Sequence, residues 1–209
     1  PVVRDLDFSR VCDMAGPRLF VSATNVRTGK IRVFEGDEIT PEALLASACL
    51  PTVFQAVEIG GEAYWDGGYS GNPALFPLYE PDLPDDVLVV SINPMRREEL
   101  PDSPLEIQNR INEISFNASL LGELRAINFV RRLIAEGKVE RGQMKEVRVH
   151  MIADDGLMNG LSATTKLAPS PQLLARLKDA GRAAADRFLA GEGHCIGHKP
   201  SVHLPDVLA

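Results

Sequence analysis

The residues best suited to chemistry are Asp66, Gly67 and Gly68, which follow the aromatic pair Tyr64-Trp65. A carboxylate at the end of a strand, on a turn that glycine keeps clear of side chains, can be approached closely by a substrate or by a second catalytic group. Alone, such a carboxylate is no more than a base. It becomes half of a hydrolytic site when a serine hydroxyl lies within reach, because a hydroxyl is a weak nucleophile until a neighbour accepts its proton. The motif that sets a serine on a strained strand-to-helix turn is Gly-x-Ser-x-Gly, and it occurs nowhere from Pro1 to Ala209. The nearest imitation, Gly68-Tyr69-Ser70-Gly71, has the wrong spacing. Asp-Gly-Gly is also an ordinary turn sequence, so its flanks have to decide between the two readings.

Those flanks read as elements that could hold a side chain rigidly. Leu19 to Ala23 and Ile31 to Phe34 are short β-favouring runs separated by Thr28-Gly29, which predicts two successive strands. Thr40-Pro41-Glu42-Ala43 supplies an N-cap, a proline at the first helical position and an acidic first turn, so a short helix is expected through about Cys49, with Pro51 ending it. Val53 to Ile59 and Glu62 to Trp65 predict strand pieces around a Gly60-Gly61 turn that delivers Asp66 to the edge of a sheet. Further on, Asp86 to Ile92 is nearly all apolar and predicts a strand buried on both faces. Helical spacing of apolar residues runs from Leu105 to about Ile134, alternation marks Glu146 to Ile152 as a half-buried strand, and helical spacing returns from Pro171 to Leu189. Strands and helices interleave, so the expected fold class is α/β, in one domain over residues 1–190. The polar tail at 191–209, with its glycines and prolines, is expected to be mobile or draped over the surface.

Composition narrows the function classes. With 209 residues, 44% of them hydrophobic, the chain can bury a substantial core. Its net charge of -7 argues against a protein that grips a phosphate backbone, and nucleic acid is not an expected partner. Three scattered cysteines, Cys12, Cys49 and Cys195, do not make a disulfide framework, and no apolar run approaches the roughly 20 residues of a spanning helix. The N-terminus lacks the pattern of a signal peptide. The expected location is therefore cytoplasmic, with peripheral membrane contact left open. The chain enters on Pro1-Val2-Val3 with no start signal for a first element, which reads as a cut end with a preceding segment removed.

The stretch Phe20-Val21-Ser22-Ala23-Thr24, Thr28-Gly29-Lys30, Ala46 to Pro51, then Asp66-Gly67-Gly68 and Asn72-Pro73 resembles the patatin-like phospholipase family in order and spacing. The resemblance covers Phe20 to Pro77; the helix-rich region from Pro104 to Leu189 is compatible with it but carries no motif of its own. It implies a three-layer α/β/α fold and a Ser/Asp dyad without histidine, with Asp66 as the dyad aspartate. It also implies a glycine-rich oxyanion loop and a Gly-x-Ser-x-Gly serine, both missing here, so the chain is similar to the C-terminal portion of such a protein and incomplete at its N-terminal side. Lipid or acyl-ester substrates follow from the resemblance, and no metal or organic cofactor is implied. The expected partner is the missing segment, as part of the same polypeptide or a separate chain, or else a second copy of this one. A 209-residue chain without the serine should be inactive by itself. The alternative function is a non-catalytic interaction or scaffold module.

Other candidates are weighed against plainer roles. Gly67 and Gly68 support the turn, and Asn72 before Pro73 pins the loop. Tyr64, Trp65 and Tyr69 are candidates for lining an acyl pocket, although aromatic residues at such positions more often pack in a core or at its rim. His194, Cys195, His198 and His203 contain a His-x3-His spacing that suits zinc, but the paired cysteine half is missing and the plainer reading is a polar tail. His150, alone in an alternating strand, reads as a structural residue.

Overall fold

The computed structural model describes residues 16–51, 53–161, 165 and 170–209. The expectation of a cut N-terminus and the residue Cys12 lie outside that range. The fold is α/β, and the chain divides into two compact units, residues 1–77 and 78–209.

The first unit is built on a four-stranded antiparallel sheet. Strand β1 (Phe20–Asn25) turns back into β2 (Ile31–Glu35) through a bend in which the Asn25 side-chain oxygen accepts the N–H groups of Arg27 and Thr28. Helix α1 (Pro41–Ser47) follows, its first turn capped by Thr40 Oγ1 accepting from Ala43 N at 3.3 Å. The hairpin β3 (Val57–Ile59) and β4 (Glu62–Asp66) closes through Gly60 and Gly61, both at positive φ, as a two-residue hairpin turn requires. β4 also pairs with β1, giving the order β2-β1-β4-β3. Alternation along the strands puts Val21, Ala23, Phe34 and Tyr64 into one core with Ala43 and Ala46 of α1. Every element predicted in this unit forms within a residue or two, apart from Val53 to Ala56, which stay outside β3.

The second unit contains β5 (Asp86–Ser91), the 32-residue helix α2 (Pro104–Ala135), β6 (Arg148–Ala153), the short α3 (Asp155–Asn159), α4 (Pro171–Gly191) and α5 (Leu204–Leu208). β5 and β6 are parallel, and α2 lies in the long crossover that a parallel pair needs. A full capping box starts α2: Ser103 Oγ accepts from Glu106 N, and the Glu106 carboxylate accepts from Ser103 N. Leu120, Leu124, Ile127 and Ile134 on its later turns are buried, whereas Ile107, Ile111 and Ile114 on its early turns are exposed. Residues 95–103, which looked like a linker, are tied down. Arg97 makes two hydrogen bonds to the buried Glu113 carboxylate at 2.8 and 2.7 Å, and Arg110 adds a third at 3.3 Å.

Two expectations need correction here. β5 is not buried on both faces: Val87 and Val89 are buried, while Leu88 and Val90 on the other face are 44% and 65% exposed. Its apolar run looked like a strand between two layers, but one face is only partly covered among the described residues. Residues 191–209 are not a loose tail. Cys195 and Leu204 are buried, α5 packs on α2, and the N–H groups of Ser201 and Val202 both donate to Val149 O at 3.2 Å. The segment is polar in composition but carries two apolar anchors, and periodicity is blind to anchors that single.

Candidate active site

Asp66 is the last residue of β4 and sits opposite Ala23 of β1. Its backbone is pinned on both sides: Asp66 N donates to Cys49 O at 2.9 Å, and Thr24 Oγ1 donates to Asp66 O at 2.8 Å. The side chain then caps the 3-10 turn Gly67–Tyr69, with Oδ1 accepting from Gly68 N at 2.7 Å. Gly67 is required by crowding. A Cβ there would run into the Ser22 carbonyl oxygen, so the turn lies directly on the backbone of β1.

The electrostatics follow from this half-buried position. Burial raises the Asp66 carboxyl above its ordinary value, against the opposing pull of the Gly68 N–H. Burial also pushes up the Cys49 thiol and the Tyr69 hydroxyl, and the negative charge of Asp66 adds to both. The ionised form of Asp66 thus holds both neighbours toward their neutral forms. A carboxylate with a raised value, on a turn that opens with two glycines, is a stronger base than one in water and suits the acceptance of a hydroxyl proton.

The structure separates the other residues singled out above. Gly67 and Gly68 are buried in the turn. Asn72 is partly buried and joined to Pro73 by a cis peptide bond. Tyr64 belongs to the core, its ring edge-on to Phe34 with centroids 5.6 Å apart, and so packs rather than lining an open pocket. Trp65 and Tyr69 are partly exposed, and the Trp65 indole N–H is buried without a protein acceptor. Cys195 is buried beside His194, and His203 pairs with Asp206 at 2.9 Å. Among the described residues no group of three or more His, Cys, Asp and Glu is placed to hold a metal ion, and no helix is long and apolar enough to cross a membrane.

Residues 13–79 match the family model for patatin-like phospholipase. The patatin-like stretch contains β1 to β4, α1 and the Asp66 turn, so the resemblance read from the motifs holds over these residues. Over these residues the chain is similar to that phospholipase family. No curated protein matches the chain.

The second unit holds a constellation that sequence reading missed. His150 is fully buried, its Nε2 2.9 Å from Asp86 Oδ1 and its Nδ1 3.2 Å from Ser201 Oγ. The chain Ser-His-Asp has the connectivity of a nucleophilic triad, but its surroundings make it a clasp. Asp86 already accepts two hydrogen bonds from Arg148 and one from Gly197 N. The Ser201 and Val202 N–H groups are spent on Val149 O and are not free to hold an oxyanion. Position 201 lies 51 residues from His150, and no spacing rule joins them.

Proposed function

We propose that this chain is the aspartate-bearing part of a patatin-like serine acyl hydrolase. The observation that carries the reading is the Asp66 turn: a partly desolvated carboxylate that accepts the Gly68 N–H, on a residue whose own N–H and carbonyl are each hydrogen-bonded, inside the stretch that matches the family. The serine comes from a Gly-x-Ser-x-Gly segment on another stretch of polypeptide, and the complete domain has the three-layer α/β/α architecture of the family. The apolar face of β5 that is only partly covered among the described residues supports a further layer, since parallel strands are ordinarily covered on both sides.

In the reaction, the Asp66 carboxylate takes the serine proton as the serine oxygen attacks the acyl carbonyl. The tetrahedral intermediate expels the alcohol, which leaves with the proton returned by Asp66. Water then attacks the acyl-serine, its proton passing to Asp66, and the fatty acid departs as the serine oxygen recovers that proton. Neither a metal nor an organic cofactor is needed for these steps. The substrates are lipid or other acyl esters, met in the cytoplasm or at a membrane surface.

The test is reconstitution. The 209-residue chain alone should not turn over a p-nitrophenyl ester. Joined to a Gly-x-Ser-x-Gly segment it should, and Asp66→Asn should lower kcat by about a thousandfold or more, with no loss of folding. Turnover by the isolated chain, or an Asp66→Asn enzyme that retains activity, would overturn this reading, and a reconstituted protein with no activity to lose would point to the scaffold module.

A further inference from the structure

We infer that Thr24 and Ser70 are positioning residues for the Asp66 carboxylate, acting through a two-hydroxyl chain that clamps the catalytic turn to β1. The inference rests on the assignment of Asp66 as the base and goes beyond it. Thr24 is a nearly buried polar residue inside a strand, and its hydroxyl lies 2.8 Å from Asp66 O and 2.7 Å from Ser70 Oγ. A carbonyl oxygen can only accept, so the single Thr24 hydroxyl proton is committed to Asp66 O. Ser70 must then be the donor in the second contact, and the order of protons is fixed: Ser70 to Thr24 to the Asp66 carbonyl.

This chain closes a ring. Ser70 N donates to Gly67 O at 3.0 Å and Gly71 N to the same oxygen at 2.8 Å, so Ser70 is held by the turn it helps to clamp. Gly67 rests on the Ser22 backbone, two residues before Thr24. The turn therefore touches β1 at two points, one steric and one hydrogen-bonded, and between them hangs the Gly68 N–H that orients Asp66 Oδ1. Removing the Thr24 hydroxyl takes the side-chain donor from the part-buried Asp66 carbonyl and the acceptor from the Ser70 hydroxyl, which loosens the hold of the turn on the strand. The carboxylate then loses its fixed direction, while the substrate surface is untouched.

The experiment has two arms. In the 209-residue chain, amide hydrogen exchange at Gly68 should speed up at least about tenfold in Thr24→Val and return toward the parent rate in Thr24→Ser, which restores the hydroxyl. In the reconstituted hydrolase, Thr24→Val should lower kcat by about tenfold to a hundredfold, the cost of a small misplacement of a reacting group. KM should stay within about twofold, and Thr24→Ser should recover most of kcat. Ser70→Ala, at a more exposed position, should give the same split with a smaller loss and serves if Thr24→Val does not fold. Unchanged Gly68 exchange, or faster exchange without any fall in kcat, overturns the positioning role. An active Asp66→Asn enzyme overturns the base assignment instead, so the two failures are distinguishable.

Discussion

At the scale of single residues, Asp66 shows the conflict between folding and chemistry that a base on a half-buried turn creates. Burial raises its carboxyl, so the folded protein holds the proton more tightly than the unfolded chain does. The stability from that proton is present below the unfolded carboxylate value of 3.8 and is lost as pH rises through the folded value. Once ionised, the group therefore works against folding. Asp66→Asn, which keeps an oxygen for the Gly68 N–H, should melt at or above the parent temperature at pH 7, with the difference vanishing in acid; calorimetry across pH checks this. The acid limb of reconstituted activity should likewise lie above the usual carboxylate range. Gly67 is the opposite case, a residue whose value is entirely steric. Gly67→Ala forces a methyl group against the Ser22 carbonyl and should destabilise the protein by about 3 kcal/mol, the upper part of the overpacking range, as measured by urea unfolding.

At the scale of elements, the clasp around Asp86 joins β5, β6 and the C-terminal segment. Hydrogen bonds from Arg148 hold the Asp86 carboxyl far below its usual range against the cost of burial, and His150 and the Gly197 N–H add to the effect. Because the folded value is depressed, this contribution is fully present above the unfolded value of 3.8 and is lost as pH falls below it. Asp86→Asn should cost about 2–4 kcal/mol at pH 7 by removing the charge that Arg148 and His150 both face, and the gap to the parent should narrow in acid. Denaturant titrations at neutral and acid pH read both outcomes. The same clasp explains why β6 is more buried than its alternation implied. Val149 faces one side, and His150 on the other is covered by Ser201 and by Phe188, whose ring is 6.2 Å away.

At the scale of the whole molecule, the apolar surface is not evenly satisfied. Leu88 and Val90 of β5, Ile92 beyond it, and Ile107, Ile111 and Ile114 of α2 leave substantial hydrocarbon in water, an arrangement more typical of surfaces that another segment covers than of a finished exterior. Val90→Lys combined with Ile92→Glu should therefore change unfolding free energy by no more than about 0.5 kcal/mol, because both side chains are 65% exposed. The same pair should reduce light scattering in concentrated solution. A large loss of stability would mean that these side chains are already buried in solution.

Local chemistry was enough to read much of this protein. Thr40-Pro41, Ser103-Pro104 and Ser170-Pro171 each write a helix start in adjacent residues, and each helix begins there with its side-chain cap in place. Gly60-Gly61 and the alternation around Tyr64 likewise place Asp66 at a strand end, because turn and strand preferences act over two to six residues. What lies beyond reach of such rules was decided by tertiary structure: that β5 has one open face, that Leu204 anchors the last residues, that Asp86, His150 and Ser201 meet, and that Thr24 reaches the Asp66 carbonyl from 42 residues away. Each of these depends on which segments pack together, and periodicity records that a face is apolar without recording what will cover it.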